Sequence, residues 1–346
     1  MNISPMVLTQ LLQFIAGLAV LIIIHELGHF IAARIFKIDV EEFGIGFPPR
    51  AVKLFEAGGT IFSLNWIPLG GFVRIKGEND PNVPGGLSSA NPWVRLAVLS
   101  AGPLMNLGLA VVLSVLLFYS LGEPVLDKVE VQGISPGSPA EQAGLQVRDL
   151  IVKVEGQAVG NVDDMQNMIY DRLGKPTQLT LQRGDQLIDI TLTPRNPAPE
   201  DGAIGIVMGY PAQPTTWARA IPNGISASYE YAKSVLLLPV RMFQGQVSPE
   251  EGRPVGYKGM FDIYQEIREP LWFFMVISMS LGIFNLFPIP ALDGGRILFT
   301  LPEIVLRRRV PAKYENAIHL VGFAMLLLLL IYINLQDFIN PVQLPK

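Results

Sequence analysis

Long apolar segments dominate the pattern of hydrophobic and polar positions along the chain. A bilayer core requires about 20 mostly apolar residues per helix. The first such segment is interrupted by the charged and polar run His25, Glu26 and His29. Four segments are predicted to span a membrane as helices: 7–36, 94–121, 271–292 and 317–335.

The positions of Lys and Arg predict how these helices are oriented. Basic residues concentrate in 38–93 and 296–316, whereas residues 1–13 contain none and the tail after Leu335 contains only Lys346. Short cytoplasmic segments carry the excess of basic residues. Both termini are therefore predicted outside the cytoplasm, together with the long segment between the second and third helices. The first helix lacks a preceding basic region and a cleavage site, so it is expected to be retained.

The segment between the second and third helices changes character. Residues 122–209 alternate apolar and polar positions in short stretches separated by Gly, Pro and Asp, which predicts a small β-rich domain. Asp163–Tyr170 is a candidate short helix within it. The following linker, 210–270, contains an amphipathic stretch, Trp217–Phe243, that is suited to a membrane surface.

Residues 38–93 combine alternating apolar side chains with repeated glycines, a pattern that predicts a β-hairpin. Because this hairpin lies beside a membrane helix, it could dip into the bilayer. It could do so only where protein or a water-filled cavity satisfies its backbone polar groups.

Composition narrows the function classes. Half of the residues are apolar, 16% are charged and the mean hydropathy is +0.37. A net charge of −4 gives no basic field, so no nucleic acid is expected as a partner. The chain has no cysteine and three histidines. Any metal site must therefore use nitrogen and oxygen ligands.

His25-Glu26-Leu27-Gly28-His29 forms an HExxH pattern inside the first predicted membrane helix. Residues four apart share one helix face, so both imidazoles can bind one ion. Glu26 beside them could take a proton from a water activated by zinc. The alternative is a polar surface turn, but ionisable groups within membrane helices are costly and usually functional.

A catalytic zinc site normally has three protein ligands, so a third must come from elsewhere. His319 is one candidate, although its position near the start of the fourth helix suits an interfacial histidine. Asp293, at the end of the third predicted helix, is the better candidate. Both the first and third helices run from outside to inside, which brings Asp293 and the HExxH pattern to a similar depth near the cytoplasmic face.

The HELGH run at 25–29 and the NLFPIPALDGG run at 285–295 together resemble the site-2 protease family of intramembrane metalloproteases. More narrowly, they are similar to its bacterial regulator-of-sigma-E protease branch. The resemblance implies Zn²⁺ as the cofactor, held by His25, His29 and Asp293, with Glu26 as the catalytic base. It further implies a set of substrate-binding residues in the later motif and the hairpin: Asn285, Pro288, Pro290, Gly70, Gly71 and Phe72.

Residues 134–145 and 149–151 resemble the bacterial PDZ signature, and the chain has room for one such domain where the best-known enterobacterial relative has two. The resemblance to the site-2 protease family implies single-span membrane proteins as substrates, such as anti-sigma factors or signal-peptide remnants. They would be cut within their transmembrane segments. It also implies a PDZ size filter and an upstream protease that trims the same substrates. The expected location is a bacterial inner membrane.

The predicted fold is thus a polytopic α-helical membrane protein with four transmembrane helices, a membrane-re-entrant β-hairpin and an inserted extracytoplasmic PDZ (α+β) domain. Two other functions remain open at this point: a membrane-anchored PDZ receptor without catalysis, and a metal transporter, although no internal repeat supports transport. The predicted segments are 1–37, 38–93, 94–121, 122–209, 210–270, 271–295, 296–316, 317–335 and 336–346.

Overall fold

A computed structural model describes residues 4–199, 201–247, 252–267 and 269–342, which fall into two compact units. The first unit contains residues 4–117 and the described residues from 222 to 342, and the second contains residues 118–221 except residue 200. The helices are α1 (Pro5–Ile35), α2 (Pro92–Leu121), α3 (Pro139–Gln142), α4 (Val162–Tyr170), α5 (Trp217–Phe243), α6 (Tyr257–Glu266), α7 (Pro270–Leu286), α8 (Asp293–Leu306) and α9 (Ala312–Ile339). The strands are β1 (Val40–Ala57), β2 (Thr60–Ile75), β3 (Glu123–Pro124), β4 (Val129–Ile134), β5 (Leu150–Val154), β6 (Gln157–Ala158), β7 (Thr177–Arg183), β8 (Gln186–Leu192), β9 (Ile206–Gly209) and β10 (Ala212–Gln213).

Three of these helices, α1, α2 and α9, are long and apolar enough to cross a membrane. The N-terminus of α1 is capped by the Ser4 hydroxyl, which accepts a hydrogen bond from the Val7 amide at 3.3 Å, and Pro5 occupies the first turn. The helix α7 is apolar but has 17 residues, fewer than the other three.

The third predicted helix, 271–292, is wrong in its last part. Helix α7 ends at Leu286, and Phe287 is extended with ψ of 145°. Pro288 follows directly, and a proline disfavours the helical conformation at the residue before it. Asp293 therefore does not end the third helix; it begins α8, which also makes the first part of the basic 296–316 segment helical.

Small residues let α1 and α7 approach α2 closely. A methyl group in place of the Gly28 hydrogen would lie 2.4 Å from the carbonyl oxygen of Ala101. One at Gly282 would lie 2.9 Å from the carbonyl oxygen of Pro103. Such backbone-to-backbone packing is typical of helices that associate in membranes, where van der Waals contact replaces the hydrophobic effect.

Strands β1 and β2 are bent, so that together they form a small sheet of four segments. Residues 42–45 of β1 pair on one side with 61–64 and on the other with 71–74, while 52–57 pairs with the far side of 60–64. The segment 71–75 therefore lies at an edge of this sheet as far as the described residues show. The predicted hairpin forms, and its β2 arm packs against α1.

The second unit has an antiparallel sheet in the order β8-β7-β5-β4-β9, with β6 paired to β5. Its core is aliphatic and includes Val129, Ile151, Leu179 and Leu181, each at most 2% exposed. The helix predicted at Asp163–Tyr170 corresponds to α4, which is capped by Asn161 and buries Met165 in this core.

An ion pair between a buried carboxylate and a partly exposed arginine stabilises the second unit. The Arg183 guanidinium donates to both carboxylate oxygens of Asp149, at 2.7 and 2.6 Å, and Asp149 is 1% exposed. Burial alone would raise the pKa of the Asp149 carboxyl, but the hydrogen bonds from Arg183 and the Gln146 amide outweigh it and lower this pKa.

We expect Arg183→Leu to destabilise this unit by about 1–3 kcal/mol at pH 7, because it leaves a buried carboxylate short of donors. A depressed pKa contributes stability above the unfolded-state value of about 4, and this contribution is lost as the pH falls through the folded-state value. The difference from wild type should therefore shrink below about pH 4. Hydrogen exchange of the β5 amides in the full chain measures this difference in stability. A difference that does not change with pH would contradict the stabilising role of the Asp149–Arg183 ion pair.

Candidate active site

Helix α1 carries the HExxH pattern in its C-terminal half and places both imidazoles on one face. The two rings meet edge to face, with centroids 4.9 Å apart, and their Nε2 atoms are 3.2 Å apart. His29 is buried, at 8% exposure. The i, i+4 spacing thus directs two potential ligand nitrogens to one point.

Asp293 reaches the same point from the start of α8. Its Oδ2 atom lies 3.1 Å from Nε2 of His25 and 3.4 Å from Nε2 of His29. The three potential ligand atoms all lie within 4.8 Å of one another. The structure therefore brings together the three residues that the sequence predicts as metal ligands; their binding of the ion remains a prediction.

The donor set fits a zinc ion. Apart from its contacts with the two imidazoles, the buried Oδ2 of Asp293 has no polar partner among the described residues. Two imidazole nitrogens and a carboxylate oxygen thus lie within 4.8 Å of one another, an arrangement that is unfavourable without a shared proton or cation. Two histidines and one carboxylate are a common ligand set for catalytic zinc.

Helix α2 fixes the orientation of His29. The Nδ1–H of His29 donates to the carbonyl oxygen of Val98 at 2.8 Å, which leaves the lone pair of Nε2 directed at the cluster. One turn further along α2, a methyl group at Gly102 would lie 2.3 Å from Nε2 of His29. A side chain at position 102 would therefore displace this ring.

Another turn along, Asn106 contacts the other histidine. Its side-chain nitrogen lies 3.4 Å from Nδ1 of His25, and Asn106 is completely buried with its Oδ1 unpaired. When Nε2 of His25 binds a metal, Nδ1 carries the proton and needs an acceptor. Turning the carboxamide would bring Oδ1 to face Nδ1, where it can accept that proton in a hydrogen bond. In that orientation, and with Nε2 on a metal ion, Asn106 would accept the hydrogen bond that orients His25.

We expect Asn106→Leu to weaken zinc binding by about 10–100-fold, the usual effect of losing such an outer partner. Asn106→Asp, which keeps the acceptor, should bind zinc within about threefold of wild type. Ser278→Ala is the matched control, because the Ser278 hydroxyl donates only to the backbone carbonyl of Asn106, at 2.8 Å. Competition with a chelator measures the affinity; equal losses in Asn106→Leu and Ser278→Ala would exclude this role.

The hairpin borders the Glu26 side chain. A methyl group at Gly71 would lie 3.4 Å from Cγ of Glu26, so the edge segment of β2 packs against this residue. Gly70 has φ of +111° and lies under the ring of Phe47, and the Phe72 ring covers Gly44. Of the three hairpin residues predicted to bind substrate, Gly71 lies beside Glu26, whereas Phe72 packs across its own sheet.

The other predicted substrate residues lie in and before the break between α7 and α8. Asn285 is half-buried in the last turn of α7, Pro288 is exposed, and Pro290 packs on Gly322 of α9. His319 does not join the ligand cluster; its Nδ1 accepts a hydrogen bond from the Ala291 amide at 2.9 Å.

The residues of α2 that orient the histidines were not predicted. The signal for one of them was present, because Asn106 is a polar side chain in the middle of an apolar helix, where such residues usually have partners. Gly102 and the Val98 carbonyl offer no comparable signal. Their contribution depends on how α2 packs on α1, which a single sequence does not reveal.

Comparisons with known proteins find similar sequences over most of the chain. The profile of peptidase family M50 matches residues 13–329. A Clostridium perfringens protein whose name describes it as a zinc metalloprotease is 32% identical over 93% of this chain and 96% of its own length. The zinc metalloprotease RasP of Oceanobacillus iheyensis is 27% identical over 95% of this chain and 99% of its own length.

Among solved structures, the chain is similar to the PDZ domain of an SdrC-like protein from Listeria monocytogenes. That similarity covers 25% of this chain and 92% of the other, with 22% identity and a TM-score of 0.22. It is too slight to assign the fold of the second unit.

Proposed function

The chain belongs to peptidase family M50 and is a zinc-dependent metalloprotease of the site-2 protease type, and we propose that it cleaves single-span membrane proteins within the membrane. The observation that carries this proposal is the convergence of His25, His29 and Asp293 beside Glu26, with the HExxH pattern inside a helix long and apolar enough to cross a bilayer. Neither a transporter nor a non-catalytic PDZ receptor requires a carboxylate next to this cluster.

His25, His29 and Asp293 would hold the zinc ion, which when bound polarises the scissile carbonyl and activates water. Glu26 takes the proton from the attacking water and delivers it to the departing amine nitrogen. It is suited to this task because it follows His25 directly on α1, next to the candidate metal site. The Val98 carbonyl and Asn106 keep the imidazoles aligned during the reaction.

The edge segment of β2 offers a way to present the substrate. A transmembrane helix has its amides bonded internally, so a segment must unwind before it can be cut. The free edge at 71–75 could pair with the unwound segment as an added strand. Because Gly71 packs on Glu26, such a strand would run beside the catalytic residue. Asn285 and the Pro288–Pro290 segment would contact the substrate from the α7–α8 side.

We propose four membrane spans: α7 in addition to α1, α2 and α9. The 17 residues of α7 are near the lower limit for a span, and the non-helical 287–292 segment continues the chain from its end. The concentration of Lys and Arg in 38–93 and 296–316 favours a cytoplasmic location for both segments. Both termini and the second unit would lie outside the cytoplasm of a bacterial cell, across its inner membrane. The exposed apolar side chains of α5, among them Ile225, Leu236 and Phe243, suit a position at the lipid surface.

The second unit would act as a PDZ domain that restricts substrates by size. It contains a groove of about 250 Å³ between α4 and the edge strand β9, lined by Ile169, Tyr170, Ile206 and Met208 among others. A substrate with a bulky outer domain would first have to be shortened by another protease. The natural substrates would then be remnants of that first cut, such as anti-sigma factors or signal peptides.

Reconstitution in liposomes tests the proposal. Two substrates share one transmembrane segment and differ only in carrying a short tail or a folded domain outside. We expect cleavage inside the transmembrane segment, located by mass spectrometry, of the short-tailed substrate only. Chelation should stop it and zinc should restore it. Cleavage outside the membrane segment, or cleavage that resists chelation, would refute intramembrane proteolysis; equal cleavage of both substrates would refute the size filter.

A further inference from the structure

The segment that positions Asp293 beside His25 and His29 contains a strained residue. Between α7 and α8 the chain is not helical, and Ala291 adopts φ of +77°. This left-handed conformation is unfavourable for any residue with a Cβ atom, so it persists only where neighbouring contacts fix it. Ala291 lies two residues before Asp293, and its conformation sets the direction in which α8 begins.

The contacts that fix Ala291 come from α9. The Ala291 amide donates to Nδ1 of His319 at 2.9 Å. One turn further along the same helix, Gly322 lies against Pro290, where an added methyl group would be 2.4 Å from the proline Cβ. The face of α9 formed by His319 and Gly322 therefore contacts both Pro290 and Ala291 of the turn.

The hydrogen bond determines the state of the histidine. Because Nδ1 of His319 accepts a hydrogen bond from an amide N–H, its own ring proton resides on Nε2 and the ring is neutral. That Nε2 atom is buried and has no hydrogen-bond partner among the described residues. The Phe299 ring meets the imidazole edge to face, with centroids 5.6 Å apart, and helps to hold its orientation.

We propose that His319 is a positioning residue for the metal site: by accepting the Ala291 amide it holds the left-handed turn that directs the Asp293 carboxylate at His25 and His29. Helix α9 contains none of the three predicted ligands. It nevertheless determines where the third of them, Asp293, is placed. This inference rests on the proposed zinc site.

A pair of amide substitutions tests it. In His319→Asn, the side-chain oxygen can occupy the position of Nδ1 and accept the Ala291 amide. In His319→Gln, the side-chain amide group lies one methylene further out, near the position of Nε2. The Ala291 amide then loses its hydrogen-bond acceptor. Both variants are neutral and polar, so they differ mainly in where the acceptor lies. Asn316→Leu is the control, because it removes another α9 side-chain bond, to the Asn79 carbonyl at 3.3 Å.

Two measurements are made on the purified full chain. Zinc affinity, from competition with a chelator, should fall by about 10–100-fold in His319→Gln and stay within about threefold of wild type in His319→Asn and Asn316→Leu. Hydrogen exchange of the Ala291 amide, measured on metal-free protein, should be faster in His319→Gln only. Equal behaviour of the Asn and Gln variants in both measurements would overturn the proposal. If the wild type binds zinc and cleaves substrate while the zinc affinity and amide exchange of His319→Gln are unchanged, only this inference fails. If the wild type binds no zinc, the proposed function fails. The exchange rate of the Ala291 amide then still tests the hydrogen bond to His319.

Discussion

Glu26→Gln is expected to reduce cleavage of a single-span substrate by about 10³-fold or more while leaving the zinc bound. A positioned general base contributes about 10²–10⁴ to the rate, and each factor of ten corresponds to about 1.4 kcal/mol of barrier. The glutamine has the same shape as the glutamate but cannot accept the proton of the attacking water. Initial rates in liposomes measure the loss, and zinc content measured on the same samples shows that the site persists.

The matched control is Glu230→Gln, the same chemical change on the exposed surface of α5, where Glu230 pairs with Lys233 at 3.3 Å. This variant should cleave at the wild-type rate. Cleavage by Glu26→Gln within tenfold of wild type would mean that another group handles the proton. Added zinc should not restore Glu26→Gln, because its defect lies in proton transfer and not in metal binding.

Asp293→Asn is expected to lose both zinc and activity. The substitution keeps the size of the side chain but replaces an anionic oxygen ligand with a neutral one, and a catalytic zinc site needs three protein ligands. Because even outer partners change metal affinity by about 10–100-fold, the loss of a direct ligand should exceed about 100-fold. Chelator competition gives the affinity, and cleavage should fall to background at low zinc.

High zinc concentrations should recover part of the Asp293→Asn activity, in contrast to Glu26→Gln. Asp262→Asn is the control, since Asp262 forms an ion pair with Lys258 on α6 and is remote from the ligands in sequence. Zinc affinity in Asp293→Asn equal to that of the control would remove Asp293 from the ligand set.

The residues of the candidate metal site could be predicted because their chemistry is exceptional for their surroundings. Two histidines and a glutamate inside an apolar helix, and an aspartate among prolines and glycines, stand out in a chain with three histidines and no cysteine. Hydropathy and the spacing of apolar residues likewise indicate helix α1, the hairpin and the strands of the second unit.

The remainder depends on contacts that periodicity does not encode. The end of α7 at Leu286 follows from the prolines, yet the apolar character of 287–292 concealed it. The roles of Val98 and Gly102 are backbone contacts between helices, and the His319 contact joins residues from two separate helices and a turn. The sequence suggests an interfacial position for His319 but gives no sign of its contact with the Ala291 amide.

X-ray absorption at the zinc edge tests the central assignment most directly. The purified chain should contain one zinc per molecule, with nitrogen and oxygen ligands at about 2.0–2.2 Å and scattering from two imidazoles. No sulfur should appear, because the chain has no cysteine. A spectrum with fewer than two imidazoles, or zinc well below one per chain, would contradict the account in which His25, His29 and Asp293 hold one ion.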